Sequence, residues 1–210
     1  MPTMPLSHKI KLFSNYIYAG RFREIYNMTW VYPLWWNRKT AAVILNKILP
    51  SLGIDLFPPF LEIEPTTICP FQCVCCEHTY WKEPAKNMTF EQFKKIFDDF
   101  GRPKWIGLTG IGYSYANKDY HKMIAYAKSR GTIVEVFDHF AKFKDDDQIK
   151  ELIEIGPDFQ FISTYGATKE SFEKVCVGSD YDKVEENIRK FVKFKKQMKK
   201  RFPILSFHYI

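Results

Sequence analysis

Four of the five cysteines crowd into eight positions, "CPFQCVCC", as Cys69-x3-Cys73-x2-Cys76 with Cys75 inside the run. Adjacent Cys75 and Cys76 cannot easily bridge one another and one thiol is left over, so a disulfide framework is excluded and a reducing compartment is expected. Thiolates this close on one irregular loop can converge on a polynuclear centre, and soft sulfur ligands select zinc, copper or iron–sulfur clusters. Structural zinc needs four ligands, normally with a second pair well downstream. The sequence has no such pair: Cys176 is solitary, and His78 or His139 would each have to be recruited alone. A 4Fe-4S electron carrier usually fills all four corners with cysteine. Three ligands instead leave one iron open, which suits an enzyme that binds a substrate or cofactor there.

The elements that must position this loop alternate from residue 60 onward. "FLEIEPT" reads as a strand running into the cysteine loop. "MTFEQFKKIFDDFG" reads as a helix with Thr89 and Gln92 as a capping box and Gly101 as its stop. "KWIGLTG", "TIVEVFD", "FQFISTYG" and "PILSFHYI" read as further strands. Helices are expected over 117–129, in "DDQIKELIEIG", in "TKESFEKV" and in "DYDKVEENIRKFVKFKKQMKKR". Five strand–helix repeats predict an α/β fold with parallel strands curling toward a barrel, the chemistry gathered at the strands' carboxyl ends. The cysteine loop, the "GIG" turn of Gly110 and Gly112, Asp138 with His139, and Ser163 to Gly166 all fall at such ends.

In this strand–loop–helix setting Cys69-x3-Cys73-x2-Cys76 resembles the radical S-adenosylmethionine superfamily, from Phe60 to the end of the chain. The resemblance implies a partial TIM-like barrel in which Cys69, Cys73 and Cys76 bind a 4Fe-4S cluster. The fourth iron would hold the amino and carboxylate groups of S-adenosylmethionine. Reduction by an external electron donor would then cleave that cofactor to methionine and a 5′-deoxyadenosyl radical, which abstracts hydrogen from a substrate. "LTGIGYS" stands where the family has a "GGE" stretch, so Gly110 and Gly112 are expected to let the backbone approach the cofactor. Tyr113 replaces the usual acid. Ser163 matches a family serine that contacts the methionine carboxylate or ribose, and Asp138 stands where a polar cofactor contact is usual. Cys75 occupies the position before the last cluster cysteine, near the adenine, and reads as a small apolar residue rather than a ligand. Tyr80 and Trp81, just beyond, could cover the cofactor or pack its helix, and packing is the reading favoured. The reading from another class is a non-catalytic iron–sulfur or zinc module.

Residues 1–58 read as a separate, helical extension, aromatic and basic, with Trp30, Trp35 and Trp36 packing it onto a core domain over 59–210. Hydrophobic residues at 46% and charged residues at 26% suit a globular protein and exclude disordered and collagen-like classes. No stretch reaches about 18 uncharged apolar residues, so no membrane span or secretory signal is expected and a cytoplasmic location follows. The net charge of +7 leaves a nucleic-acid partner open. Its densest run, Lys193 to Arg201, instead fits the solvated side of a helix whose apolar face carries Val184, Ile188, Phe191, Val192 and Met198. The family core has six β/α units and only five are legible here, so a fragment, or a partner chain completing the barrel, is expected, with an unpaired strand edge.

Overall fold

Parallel strands cannot be joined by hairpins, so each must be followed by a crossover, and here most of these crossovers contain a capped amphipathic helix. The computed structural model describes residues 6–28, 51–52, 58–101 and 103–209. Along the chain run α1 (Leu6–Tyr18), β1 (Phe60–Ile63), β2 (Gln72–Cys73), a 3-10 turn (Glu77–Tyr80), α2 (Phe90–Asp99), β3 (Trp105–Leu108), α3 (Tyr120–Ser129), β4 (Ile133–Asp138), α4 (Asp146–Ile155), β5 (Phe159–Thr164), α5 (Lys169–Val175), β6 (Cys176–Val177), α6 (Tyr181–Gln197) and β7 (Ile204–Tyr209). Residues 22–28 are also helical. The main sheet is parallel throughout, in the order β1-β3-β4-β5-β7. This is the α/β, five-stranded partial barrel that the alternation predicts.

Local signals set the helix ends. Thr89 and Gln92 form both halves of a capping box on α2. Asp145 caps α4 through Gln148 N, and Gly156, at φ 62°, ends it in the left-handed region. The helix expected from residue 117 starts at Tyr120, because the Asn117 side chain instead donates to the carbonyls of Pro65 and Met88. Period-two alternation sends Ile63, Ile106, Leu108, Val134, Val136 and Ile162 from the strands into a buried layer against Phe93, Phe97, Met123, Ile124, Leu152 and Phe191 of the helices. Each such side chain contributes roughly 1.5–3 kcal/mol by leaving water. Val192, expected on the apolar face of α6, is 50% exposed, while Val184 and Phe191 are buried.

The amino ends of the strands are covered by α1 and the helix over residues 22–28. Phe60, Trp105 and Ile133 stand in one register row, and Phe159 opposes Ile204. Leu12, Tyr16 and Met28 pack on these residues and on Phe202. Beneath them the fully buried Asp158 accepts from Arg21 at 3.0 Å, Lys128 at 2.7 Å and Val134 N at 2.8 Å, and Lys128 also reaches Glu24 at 3.0 Å. α1 itself was not legible in the sequence. The expected helix "TAAVILNKILPSLG", apart from Ser51 and Leu52, and the three tryptophans lie outside the described residues.

Candidate iron–sulfur and cofactor site

The loop that leaves β1 is held from several directions before it reaches its thiols. Thr66 pairs with Asn87 as an isolated bridge, its hydroxyl accepts from Ile68 N at 3.0 Å, and Ile68 O accepts from Tyr113 N at 2.8 Å. Beyond Cys69, Phe71 is buried edge-on to Tyr113 and His139, with centroids 5.3 and 4.6 Å apart. The Cys73 carbonyl accepts from Cys76 N at 3.0 Å and from the Thr79 hydroxyl at 2.7 Å. These bonds turn the chain sharply within the cysteine run.

Cys73 is buried, Cys69 and Cys76 are half-buried, and all three pack in one cluster with Phe71, Tyr113, Ala141, Phe172 and Cys176. Burial pushes the Cys69 thiol above its ordinary pKa, and the neighbouring Cys73, Cys76 and Asp138 add to this, so these groups lie within one another's electrostatic reach. Among the described residues no three His, Cys, Asp or Glu side chains converge as closely as ligands of one ion must. Three soft thiol donors on one loop suit iron–sulfur chemistry.

Cys75 is exposed and lies outside this buried group. Tyr80 and Trp81 are 70% and 42% exposed, so the packing role expected for them is not what the structure contains. Cys176, solitary in sequence, is brought beside the loop: β2 and β6 form a two-stranded antiparallel ladder that sets Cys73 opposite Cys176, their sulfurs 3.2 Å apart. Their contact lowers the Cys73 pKa and raises that of Cys176.

Gly110 and Gly112 sit one strand over. A side chain at either would collide, but with the protein rather than a ligand: a Cβ on Gly112 would lie 2.0 Å from the Thr66 carbonyl oxygen, and one on Gly110 2.2 Å from Glu64 Oε1. Glu64 Oε1 accepts from Ile111 N at 2.6 Å and Gly112 N at 3.3 Å. The turn is thus packed tightly against Glu64 and the Thr66 carbonyl. Glu64 was missed in the sequence reading, although a carboxylate at the very end of a barrel strand was the available signal.

Asp138 ends β4 and is 6% exposed. Its Oδ1 accepts from Phe140 N, while Oδ2 has no hydrogen-bond partner. Burial raises its carboxyl to about 8, partly offset by the Phe140 N–H. An orphaned buried carboxyl oxygen is costly unless a bound group satisfies it. His139 is also buried, and desolvation lowers it to about 4. Ser163, near the carboxyl end of β5, is half-buried beside Tyr165. Deeper in the sheet, Glu135 is raised to about 7 by burial, against a hydrogen bond from Trp105 Nε1 at 3.0 Å.

A parallel β/α half-barrel with a three-thiol loop on its first strand and a glycine turn on the next defines a class of iron–sulfur enzymes. The chain belongs to the radical SAM superfamily, whose sequence profile matches residues 63–204. Members of this superfamily use a 4Fe-4S cluster and S-adenosylmethionine. A tungsten-containing aldehyde ferredoxin oxidoreductase cofactor-modifying protein of Pyrococcus furiosus is 29% identical over 107 residues, covering 50% of this chain and 30% of that protein. Methylornithine synthase superposes with a TM-score of 0.51 at 18% identity, over 70% of this chain and 44% of its own. SuiB of Streptococcus suis, bound to S-adenosylmethionine, superposes at 0.53 with 15% identity, over 81% of this chain and 45% of its own. The chain thus spans less than half the length of each of these relatives. Among the described residues no helix is long and apolar enough to cross a membrane.

Proposed function

We propose that this chain carries the cluster- and cofactor-binding part of a radical SAM enzyme, with residues 59–210 as its core and 1–58 as an extension. The observation that carries the reading is the gathering of Cys69, Cys73 and Cys76 in one buried cluster at the carboxyl mouth of a parallel sheet. These three residues would hold a 4Fe-4S cluster. The bound cluster and S-adenosylmethionine supply reductive cleavage of the sulfonium, fed by an external electron donor, and hydrogen abstraction from a substrate.

The chain's own residues bind and exclude water. The Gly110–Gly112 turn, braced by Glu64, lies beside the thiol loop, and we assign Glu64 the acidic contact to the methionine amino group that Tyr113 cannot make. Tyr113 is committed elsewhere: its hydroxyl donates to Lys142 O at 2.7 Å and accepts from Lys142 N at 3.0 Å. Asp138, through its unpartnered Oδ2, and Ser163 are assigned further polar contacts to the cofactor. Cys75, exposed on the rim, lines the cofactor without ligating iron. Five free thiols favour a cytoplasmic setting.

Anaerobic reconstitution with iron and sulfide, then dithionite and S-adenosylmethionine, tests the assignment. The expected product is 5′-deoxyadenosine, with iron content near four per chain, roughly the value for one cubane. Replacing Cys69, Cys73 or Cys76 by Ala should abolish both, while Cys75→Ala should retain the iron. Full iron loading without any cofactor cleavage would point instead to an electron-transfer module.

A further inference from the structure

We propose that Cys73 and Cys176 are a reversible disulfide pair in the cluster-free chain, so that oxidation withdraws one ligand and blocks loading of the iron–sulfur centre. The pairing rests on geometry alone; its effect on loading rests on Cys73 being a ligand.

Val74 N donates to Val175 O at 2.9 Å, which makes residues 74 and 175 a hydrogen-bonded pair of the ladder. Pairs alternate along antiparallel strands, so Cys73 and Cys176 form the non-hydrogen-bonded kind. In that kind Cα atoms approach to about 4.5 Å and the side chains stand closest, within the span a disulfide bridges. The sulfurs are already 3.2 Å apart, with both residues buried. Bond formation therefore calls for little backbone movement. Cys75 has no such partner geometry, being exposed on the rim.

The step balances with hydrogen peroxide as oxidant. The two thiols give up two protons and two electrons as the S–S bond forms, and the O–O bond of peroxide breaks to yield two waters. A dithiol such as dithiothreitol reverses it by exchange, closing to its own cyclic disulfide.

A Cys69→Ser, Cys75→Ser, Cys76→Ser chain keeps only Cys73 and Cys176, so its folded, metal-free form offers a direct count of free thiols. One equivalent of peroxide should remove both thiols without adding mass beyond the loss of two hydrogens, and dithiothreitol should restore them. Retention of both thiols, or stepwise oxygen addition to the sulfurs, overturns the pair. Circular dichroism verifies folding, and Cys176→Ala in the natural background serves as a second variant if the triple-serine chain fails to fold. In the natural background, one equivalent of peroxide should cut subsequent iron incorporation several-fold, with recovery on reduction. The Cys176 variant should show little such dependence. Disulfide formation with undiminished iron uptake overturns the block on loading and, separately, Cys73 as a ligand.

Discussion

Glu64 shows how one side chain can serve a turn and a ligand together. One carboxylate oxygen is held by two backbone N–H groups, so the group is positioned before anything binds. A charge-assisted contact to an ammonium is worth about 1.5–3 kcal/mol. Glu64→Gln keeps an acceptor oxygen for the turn but removes the charge. Its expected effect is a loss of S-adenosylmethionine affinity of about 10- to 100-fold, read by equilibrium dialysis, with iron content unchanged; equal affinity would remove Glu64 from the site. Glu135 carries a pH prediction. Its folded pKa, about 7, lies above the ordinary carboxylate value, so the folded chain binds more protons than the unfolded one in between. Stability is therefore fullest below the unfolded pKa and declines as pH rises toward about 7. Urea midpoints across that range should show this slope in the natural chain and a shallower one in Glu135→Gln.

At the scale of elements, the amino-terminal helices and the sheet are joined by charge as well as by packing. Asp158 is the hub, with a side chain 0% exposed between Arg21 and Lys128. Removing one partner of a buried ionic network strands the others, so Asp158→Ala is expected to cost about 3 kcal/mol, measured by chemical denaturation; a loss within error of zero would mean that the network contributes nothing. The elements themselves were largely legible. Thr89 with Gln92, and Gly156 after Ile155, are local signals that the fold obeys, and the alternation of strand and helix required crossovers. β2 and β6 were not legible, because two-residue strands leave no periodicity and their partners are far apart in sequence. The same separation hid the contact of Cys176 with Cys73. The spacing of Cys69, Cys73 and Cys76 was readable directly, since residues of one loop make a local pattern. Glu64 showed only its place at a strand end, since its role depends on which strand lies next to β1.

Among the described residues, β1 and β7 are the outer strands of the main sheet. Phe207 and Tyr209 on β7 are 61% and 73% exposed. Open edges with exposed aromatic residues recruit further strands. The 210-residue chain studied alone should therefore associate as concentration rises, which sedimentation velocity would follow; a constant monomer at high concentration would show that the edge is self-protected. Glu62 and Glu135 line the sheet around Gly107, and Phe137 stacks on Phe161 at 4.6 Å, so this surface pairs acids with aromatic rings.

The little ladder between β2 and β6 ties together sulfur atoms 103 positions apart in the chain. Because α5 follows β5 and runs straight into β6, this short ladder fastens the thiol loop to the far side of the sheet through the backbone itself.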